Sequence, residues 1–599
     1  MLRDIRKNKT FNRRALVIGA VQSALTGALV LRLGYLQLWK KKEYSALSDS
    51  NRIKSVINPA PRGLIVDRNG LPLTRNDSSY RLLLYLDRKK NAQGVVESLD
   101  ELLKLTERQK AVFISKIKNA RRKTVISLMD NLGWDDLARI EASSHLMPGV
   151  SIERGIIRRY PYPLETAHLL GYVSLPSEKD IDENEQGLFM HPDFRIGKTG
   201  LEKTFDDTLR GKHGIKHVEV NVHETPIQTI SVKPPLQGDS LNLTIDLSLQ
   251  KYVAERVKDD VASVVVMDVK TGAIVTSVSS PSFNPNNFVE GVSEKYWREI
   301  STDSRKPMNN KPISAMYPPG STFKLMVALA ALEEGINPKE KIRCNGYYKL
   351  GKRISHCWKE GGHGSLDMSG AIKHSCNVYF YAISQKFGYE KFMEMSRRFG
   401  YGDKIDINLQ GVNSGNIPSD EWKRKIYKNR WVGGDTLNAA IGQGFVLATP
   451  MQMALATARI ANGGVPIKPH LVQTDDIAKQ YSHLKSNPVV DAKHLKLVQE
   501  GMSRVMNEFG GTAYGKRIRA RGFEMAGKTG TSQVVSKRER DRSNTRNREN
   551  HAIFVGYAPA HDPKYAISVV VEHGGSGSRA AAPIAKDVMM ELQGLNKRV

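Results

Sequence analysis

The stretch Tyr317-Pro-Pro-Gly-Ser321-Thr-Phe-Lys324-Leu-Met-Val-Ala-Leu-Ala-Ala-Leu332 constrains this chain most. Two prolines and a glycine make a turn. A run of strong helix formers comes next, and Gly335 with Pro338 closes it. The run is apolar on nearly every side, so the helix belongs inside a core. Its first turn nevertheless carries Ser321 and Lys324, which at i and i+3 share one face. A lysine buried at a positive helix end is pushed toward its neutral form. It can then take the hydroxyl proton of Ser321 and make that oxygen a nucleophile. Alone, S-x-x-K is a common pattern and more often marks an ordinary helix N-terminus with a capping serine and an exposed lysine.

The rest of the chain decides between these. At 599 residues it is long enough for two or more domains. Its formal charge of +28 suits acidic surroundings, either nucleic acid or an anionic membrane with acidic polymers. No DNA-reading zinc-finger spacing, RNP pattern or Walker loop is present, and the excess charge is spread along the chain, which argues against nucleic acid.

The N-terminus points to a membrane. Residues 1–14 carry Arg3, Arg6, Lys7, Lys9, Arg13 and Arg14 against Asp4, and Ala15 to Leu31 is uncharged. Residues 15–39 make about 37 Å of helix at 1.5 Å per residue, enough to span. Arg32 can snorkel, and Tyr35 and Trp39 suit the far interface. The basic flank stays in the cytoplasm, so the chain beyond residue 40 is exported. A cleaved signal peptide is the alternative, but no small-x-small cleavage site comes after the apolar run.

Residues 40–235 read as a spacer or docking module, a pedestal, of mixed short strands and helices. Arg62 to Gly70 is expected to run strand, turn, strand, and Gly197 to Lys212 to form a loop and an amphipathic helix. A linker near Lys233 to Gly238 ends it. From 236 to 599, expected strands at Leu241–Ile245, Ala262–Met267, Ala273–Ser277, Glu524–Thr529, Ala552–Tyr557 and Ala566–Glu572 flank helices from Leu247, at Asp367–Phe387, Thr449–Asn462 and Leu495–Met506, with a closing helix Pro583–Leu592. That order gives an α+β domain, a mainly antiparallel sheet with helices packed on it. Residues 537–550 are highly charged and cannot bury anything, so a mobile loop is expected.

Two further groups complete the chemistry. Ser375 and Asn377, in His-Ser-Cys-Asn, are expected to point from a helical stretch into a cleft. Lys528-Thr529-Gly530-Thr531 ends an expected strand, and a residue without Cβ there lets an extended peptide approach the sheet edge. Ser375 can pass a proton from Lys324 to a leaving amine. Asn377 can hold a substrate amide, Lys528 supplies positive charge, and Thr529 and Thr531 offer hydroxyls to a carboxylate. Backbone N–H groups of Ser321 and Thr531 could form an oxyanion hole.

In this order and spacing, S-x-x-K, S-x-N and K-T-G resemble the penicillin-recognising serine enzymes. The anchor, Arg62-Gly-x-x-x-Asp-Arg-Asn-Gly70, Gly200-Leu-Glu202, Gly442-Gln-Gly444 and Thr449-Pro450 are similar to the monofunctional class B penicillin-binding proteins. Trp358-Lys-Glu-Gly-Gly-His363-Gly and Gly434-Asp-Thr436 are most similar to the elongation group, penicillin-binding protein 2. The resemblance implies a D,D-transpeptidase that cross-links peptidoglycan stem peptides in the periplasm, anchored in the inner membrane and inhibited by β-lactams. It also implies a partner from the shape, elongation, division and sporulation (SEDS) family of glycosyltransferases and other elongation-complex proteins. No cofactor is expected for catalysis. The septal sister enzyme is the nearest alternative. A β-lactamase would need an extra base to activate water, and a β-lactam-sensing receptor several membrane spans. A catalytically silent scaffold would not be expected to keep all five motif side chains.

The three cysteines, Cys344, Cys357 and Cys376, fall together with His363 as C-x12-C-x5-H-x12-C. This fits a structural Cys3His zinc site that pins the 344–363 loop against the helix bearing Ser375. A Cys344–Cys357 disulfide with Cys376 buried, or three unlinked thiols, are the other readings, and His356 and His374 are spare ligand candidates.

Overall fold

The computed structural model describes residues 2–41, 52–85, 92–119, 125–143, 149–177, 194–220, 226–473, 487–534 and 549–595, with a few single positions between them. The charged run at 537–550 lies almost entirely outside these residues. The chain starts with one long helix, α1 (Leu2–Gly34), continued by a wider turn at Tyr35–Trp39. Its Arg13–Trp39 part is long and apolar enough to cross a membrane and is unburied among the described residues.

The pedestal holds two three-stranded sheets. Strand β1 (Ile53–Asn58) pairs with a later strand, Gly214–Val220, which pairs in turn with Pro226–Lys233. The long β2 (Arg75–Tyr85) lies between β3 (Val125–Met129) and β4 (Val150–Arg159). Helices Ala92–Leu103 and Glu107–Asn119 cover that second sheet through a core of Leu82, Leu99, Phe113 and Ile140. The Arg62–Gly70 segment is mostly turn: only Ile65–Val66 is strand, because the Asp67 carboxylate accepts the Asn69 and Leu71 N–H groups and closes a tight loop. The helix expected after Gly197 is two short pieces, Gly200–Thr204 and Asp206–Arg210.

Four charged groups hold this base together. Glu202 is fully buried and accepts from Arg62 Nε at 2.6 Å and Arg158 Nε at 2.8 Å, while Arg62 also pairs with Asp206 at 2.7 Å. Burial opposes the Glu202 charge, but Arg158 and then Arg62 outweigh it, so its carboxyl titrates below the usual range. This contribution is present above the unfolded carboxylate pKa and is lost as pH falls through the lowered native value. Glu202→Ala leaves the buried Arg158 guanidinium without a carboxylate and Arg62 with Asp206 alone, and is expected to cost about 3–5 kcal/mol. Faster proteolysis of the pedestal at neutral pH reports it; a loss below about 0.5 kcal/mol would overturn the assignment.

The pedestal is tied to the second domain by strand pairing and by a side-chain hydrogen bond. Leu241 runs parallel to Ile65, and Asp67 Oδ2 accepts the Leu247 N–H at 3.1 Å. That N–H belongs to the first residue of α2 (Leu247–Arg256). The strand expected at Leu241–Ile245 covers only Leu241–Asn242, because Thr244 and Asp246 already turn the chain toward α2.

The second domain is built on one antiparallel five-stranded sheet. Its strands are β5 (Ala262–Asp268), β6 (Ile274–Ser280), β7 (Ala526–Ser532), β8 (His551–Ala558) and β9 (Tyr565–Val571), in the order β6-β5-β9-β8-β7. Helices pack on it from both sides, so β6 is buried along its whole length. Strand β7 is an edge, with no strand beyond it among the described residues. The expected strand ended at Thr529, but β7 runs through Ser532, so the Lys528–Thr531 run lies within it. Its two glycines shorten the local side-chain profile, and the register is held instead by β8, with Lys528 opposite Val555.

Helix α3 (Lys324–Glu333) is the buried helix expected after Ser321, and every residue from Lys324 to Leu332 is buried. The expected helix Asp367–Phe387 is broken into α4 (Met368–Lys373) and α5 (Asn377–Phe387). Ser375 sits between them with a φ of 53°. A left-handed residue with a side chain costs about 1–2 kcal/mol, and this break falls at a candidate site residue. Downstream, α6 (Tyr389–Arg398) packs on α3, α7 (Pro450–Ala461) starts at a Thr449 and Gln452 capping box, and α8 (Ala492–Asn507) and α9 (Ala582–Leu592) complete the helical layers.

Candidate active site

Three separated stretches meet beside the edge strand. Ser321 sits in a single 3-10 turn, Gly320–Thr322, that leads directly into α3. Gly320, at φ 56°, lies against the β7 backbone: a Cβ there would fall 2.6 Å from the Thr531 carbonyl oxygen and 3.2 Å from its nitrogen. Gly530 is equally confined, because a Cβ would meet Pro319 O and Thr322 Cγ2 at 3.0 Å. The two glycines therefore let the Ser321 turn sit directly on the Lys528–Thr531 strand.

The amines converge on one hydroxyl. Lys324 Nζ donates to Asn377 Oδ1 at 2.7 Å, to the Ser375 carbonyl at 2.8 Å and to Ser375 Oγ at 3.3 Å. Lys528 Nζ donates to Ser375 Oγ at 2.9 Å and to the Thr529 carbonyl at 3.1 Å. Both lysines are fully buried. Burial pushes Lys324 down to about 8, with the Cys376 and Cys357 thiols opposing it. Burial and then the nearby Lys324 charge push Lys528 well below the ordinary lysine value. Neither lysine has a carboxylate partner among the described residues, so an amine in this cleft is readily neutral.

Ser321 keeps its hydroxyl clear of these bonds: among the described residues its oxygen has no hydrogen-bond partner. Asn377 uses its oxygen on Lys324 and its amide nitrogen on the His356 carbonyl, at 3.3 Å, so it is a positioning element of the amine cluster. Thr529 Oγ1 is 2.9 Å from Thr512 Oγ1, and the Thr531 carbonyl accepts from Gln443 Nε2 at 2.9 Å. Gln443 and Thr512 are contributors that no sequence motif singled out for chemistry. The signal for Gln443 is its place between Gly442 and Gly444, both with positive φ. The Gly442 carbonyl also accepts the Gly320 N–H at 2.8 Å, so this loop supports the Ser321 turn from behind.

Next to Ser375, the sulfurs of Cys344, Cys357 and Cys376 and a nitrogen of His363 all lie within 4.8 Å of one another. His363 Nδ1 is 3.6 Å from both Cys344 Sγ and Cys357 Sγ. No two of the cysteines are joined. The hydrogen bond with Cys376 draws the Cys357 thiol down, and the same bond together with burial pushes the Cys376 thiol up. His356 is exposed, and the His374 ring lies 5.9 Å from that of His363 without joining the cluster. Trp358, half exposed, closes over the same corner and donates from Nε1 to the His374 and Ser375 carbonyls at 3.2 Å.

Comparison with known proteins divides the chain in the same way. The family described as penicillin binding protein transpeptidase domain matches residues 262–590. The family described as penicillin-binding protein dimerisation domain matches residues 57–243. The peptidoglycan D,D-transpeptidase MrdA of Acinetobacter baumannii is 35% identical over 97% of this chain and 88% of that protein. Among solved structures, the complex between penicillin-binding protein PBP2 and MreC from Helicobacter pylori superposes with a TM-score of 0.78 at 29% identity, over 91% of this chain and 99% of that one. A peptidoglycan synthase complex in which polymerization and crosslinking are coordinated matches with a TM-score of 0.70 at 28% identity, over 97% of this chain and 98% of that one. With both family domains in the expected order and an MrdA relative aligned nearly end to end, this chain belongs to the penicillin-binding proteins, in the class that carries a dimerisation domain ahead of its transpeptidase domain.

Proposed function

We propose that this protein is an elongation-type peptidoglycan D,D-transpeptidase in which Ser321 is the nucleophile and Lys324 its base. The observation that carries the reading is the placement of Lys324 and Lys528 on either side of the Ser375 hydroxyl, beside a Ser321 turn packed on an open sheet edge. An acyl donor laid along β7 as an added strand brings its D-Ala–D-Ala carbonyl to Ser321. Ser321 Oγ attacks that carbonyl as its proton passes to Lys324 Nζ. The proton moves through Ser375 Oγ to the departing D-Ala amine, and the acyl group remains on Ser321. An amine of a second stem peptide then displaces Ser321 by the reverse proton path. Lys528, Thr529 and Thr531 hold the donor carboxylate, and the backbone N–H groups of Ser321 and Thr531 hold the developing oxyanion.

This assignment has a pH signature. Lys324 must be neutral to act, so acylation by penicillin is expected to fall about tenfold per pH unit below about 8 and to level off above it. The sign for stability is the same, because the unfolded chain holds a proton that the native amine sheds between about 8 and 10.5. A flat acylation profile from pH 6 to 9 would remove Lys324 as the base. The decisive test of the whole reading is the mass of the penicillin adduct, which is expected on the single peptide containing Ser321. An adduct on another peptide, or none, would overturn it.

The wider setting is part of the same proposal. Residues 15–39 anchor the protein in the inner membrane with residues 1–14 in the cytoplasm; 40–235 form a pedestal, and 236–599 the periplasmic transpeptidase domain. The MreC complex and the synthase complex support elongation-complex partners, including a glycan-polymerising one of the SEDS family. The Cys344, Cys357, His363 and Cys376 cluster is proposed to hold a structural zinc. In a tetrahedral shell with Zn–S near 2.3 Å and Zn–N near 2.0 Å, sulfur and nitrogen stand about 3.5 Å apart. The two Cys–His separations of 3.6 Å fit that shell. The metal takes no part in the acyl transfer; it supplies a crosslink between the 344–363 loop and the break that carries Ser375.

A further inference from the structure

Resting on the Ser321 acyl-enzyme proposed above, the second half of the reaction fixes where the acceptor stem peptide must lie. In the first half the departing D-Ala has its amine beside Ser375 Oγ and its carboxylate at Thr529, while the rest of the donor continues along β7 past Thr531. In the second half the acceptor nitrogen bonds to the acyl carbon and the ester bond to Ser321 Oγ breaks. The amine proton returns to that oxygen through Ser375 and Lys324. By microscopic reversibility the incoming amine takes the place that the departing amine left. The acceptor stem peptide therefore leaves the cleft past Ser375 and Thr529, at the end away from the donor.

The loop that follows α8 stands at that end. Thr512 Oγ1 meets Thr529 Oγ1 at 2.9 Å, and the Thr512 N–H donates to the Lys373 carbonyl at 3.4 Å. A Cβ on Gly510 would lie 3.6 Å from His374 Cε1, so the loop also borders the residue before Ser375. Trp358 borders the same bend through its bonds to the His374 and Ser375 carbonyls. The loop is pinned where it leaves the helix: Glu508 pairs with Lys373 and, at 2.6 Å, with Arg504. A Cβ on Gly511 would fall 2.3 Å from the Val505 carbonyl oxygen, so only glycine lets the chain turn this close to α8.

Two side chains held by this loop suit a peptide ligand. Phe509 is 82% exposed, and its ring meets Tyr514 edge to face with centroids 5.7 Å apart. The Arg517 guanidinium sits over the same Tyr514 ring, 3.9 Å from its centroid, and donates from Nη1 to the Tyr514 carbonyl at 3.0 Å. No carboxylate pairs with it among the described residues. A guanidinium already fixed by stacking gives up little freedom on binding, and its fork matches a carboxylate. The acceptor supplies one, because a stem peptide ends in a carboxylate of its own. Exposed aromatics and arginines are also the side chains that most often anchor a bound chain. We propose that Phe509 and Arg517 form the acceptor subsite, Phe509 packing against the stem peptide that brings the amine and Arg517 taking one of its carboxylates.

The test measures how the acyl-enzyme partitions between water and amines. The full chain in detergent is acylated with a thioester analogue of the donor. It is then offered either free D-alanine, which fills only the leaving-group position, or a tetrapeptide stem released from peptidoglycan with its side-chain amine free. Phe509→Ala with Arg517→Gln is expected to lower capture by the tetrapeptide, relative to hydrolysis, by about tenfold or more. Capture by D-alanine and the rate of penicillin labelling are expected to stay unchanged in the same variant. Undiminished capture of the tetrapeptide, an equal loss with both acceptors, or slowed penicillin labelling would overturn the proposal. So would a parent enzyme that captures the tetrapeptide no better than D-alanine. The penicillin adduct of the parent reports Ser321 separately, so failure of the subsite is distinguishable from failure of the nucleophile assignment.

Discussion

Ser321→Ala is expected to abolish the covalent penicillin adduct, a loss of about a millionfold in acylation rate, while the protein remains folded and anchored. The reason is geometric. Ser321 is partly exposed at the mouth of the cleft, and its hydroxyl is uncommitted. The other cleft hydroxyl at these lysines, Ser375 Oγ, is buried between two amine donors and cannot reach an acyl donor on β7 without leaving them. Removing the Ser321 oxygen costs little in packing, because the buried contacts of its turn are made by Gly320 and Thr322. Lys324→Ala should retain the nucleophile and lose the base, a smaller drop of about 10³ to 10⁴-fold. The measurement is the second-order rate of labelling by a fluorescent penicillin, with thermal unfolding as the control for fold. Labelling of Ser321→Ala at more than a trace would refute the nucleophile. Equal rates for Lys324→Ala and the parent would refute the base.

Removing the proposed zinc should have the next largest effect. Structural zinc in small folds contributes on the order of 10 kcal/mol to the ligand-bearing segment. Here the segment runs from Cys344 to Cys376 and includes the ribbon Tyr347–His356, whose His356 carbonyl accepts from Asn377. Without a metal, three buried sulfurs and a half-buried imidazole are left to satisfy one another, and Nε2 of His363 already has no partner. Protein purified without added metal is expected to contain one zinc per chain by elemental analysis. Chelation, or Cys344→Ser, should lower the unfolding temperature and slow penicillin acylation by tenfold or more, because Cys376 lies directly between Ser375 and Asn377. The absence of stoichiometric zinc would end the metal reading.

Where sequence and structure part, the cause is shared. The Asp367–Phe387 stretch has a helical composition throughout, and only the contacts of the folded chain hold Ser375 in a left-handed conformation at the break. Trp358 is one of those contacts, bonding the carbonyls on either side of the break's start. By composition the Lys528–Thr531 run ends a strand, because its glycines and threonines have a weak apolar period; pairing with β8 carries the strand on to Ser532.

What the sequence determined by itself is local and chemical. A run of helix formers behind a Pro-Pro-Gly turn dictates a buried helix that starts at Lys324, though Ser321, expected on its first turn, falls in the 3-10 turn just before it, and an uncharged stretch behind basic residues dictates a helix long and apolar enough to cross a membrane. Spacing also grouped Cys344, Cys357, Cys376 and His363 before any distance was known. Tertiary structure alone decided which amine meets which oxygen. Lys324 turned to Ser375 and Asn377 rather than to Ser321, and Gln443 reached the Thr531 carbonyl from a distant loop. Those choices depend on close approaches of backbones at Gly320, Gly442 and Gly530, and on burial that removes water from two lysines. Both are properties of segments far apart in sequence, so no local pattern of residue types carries them.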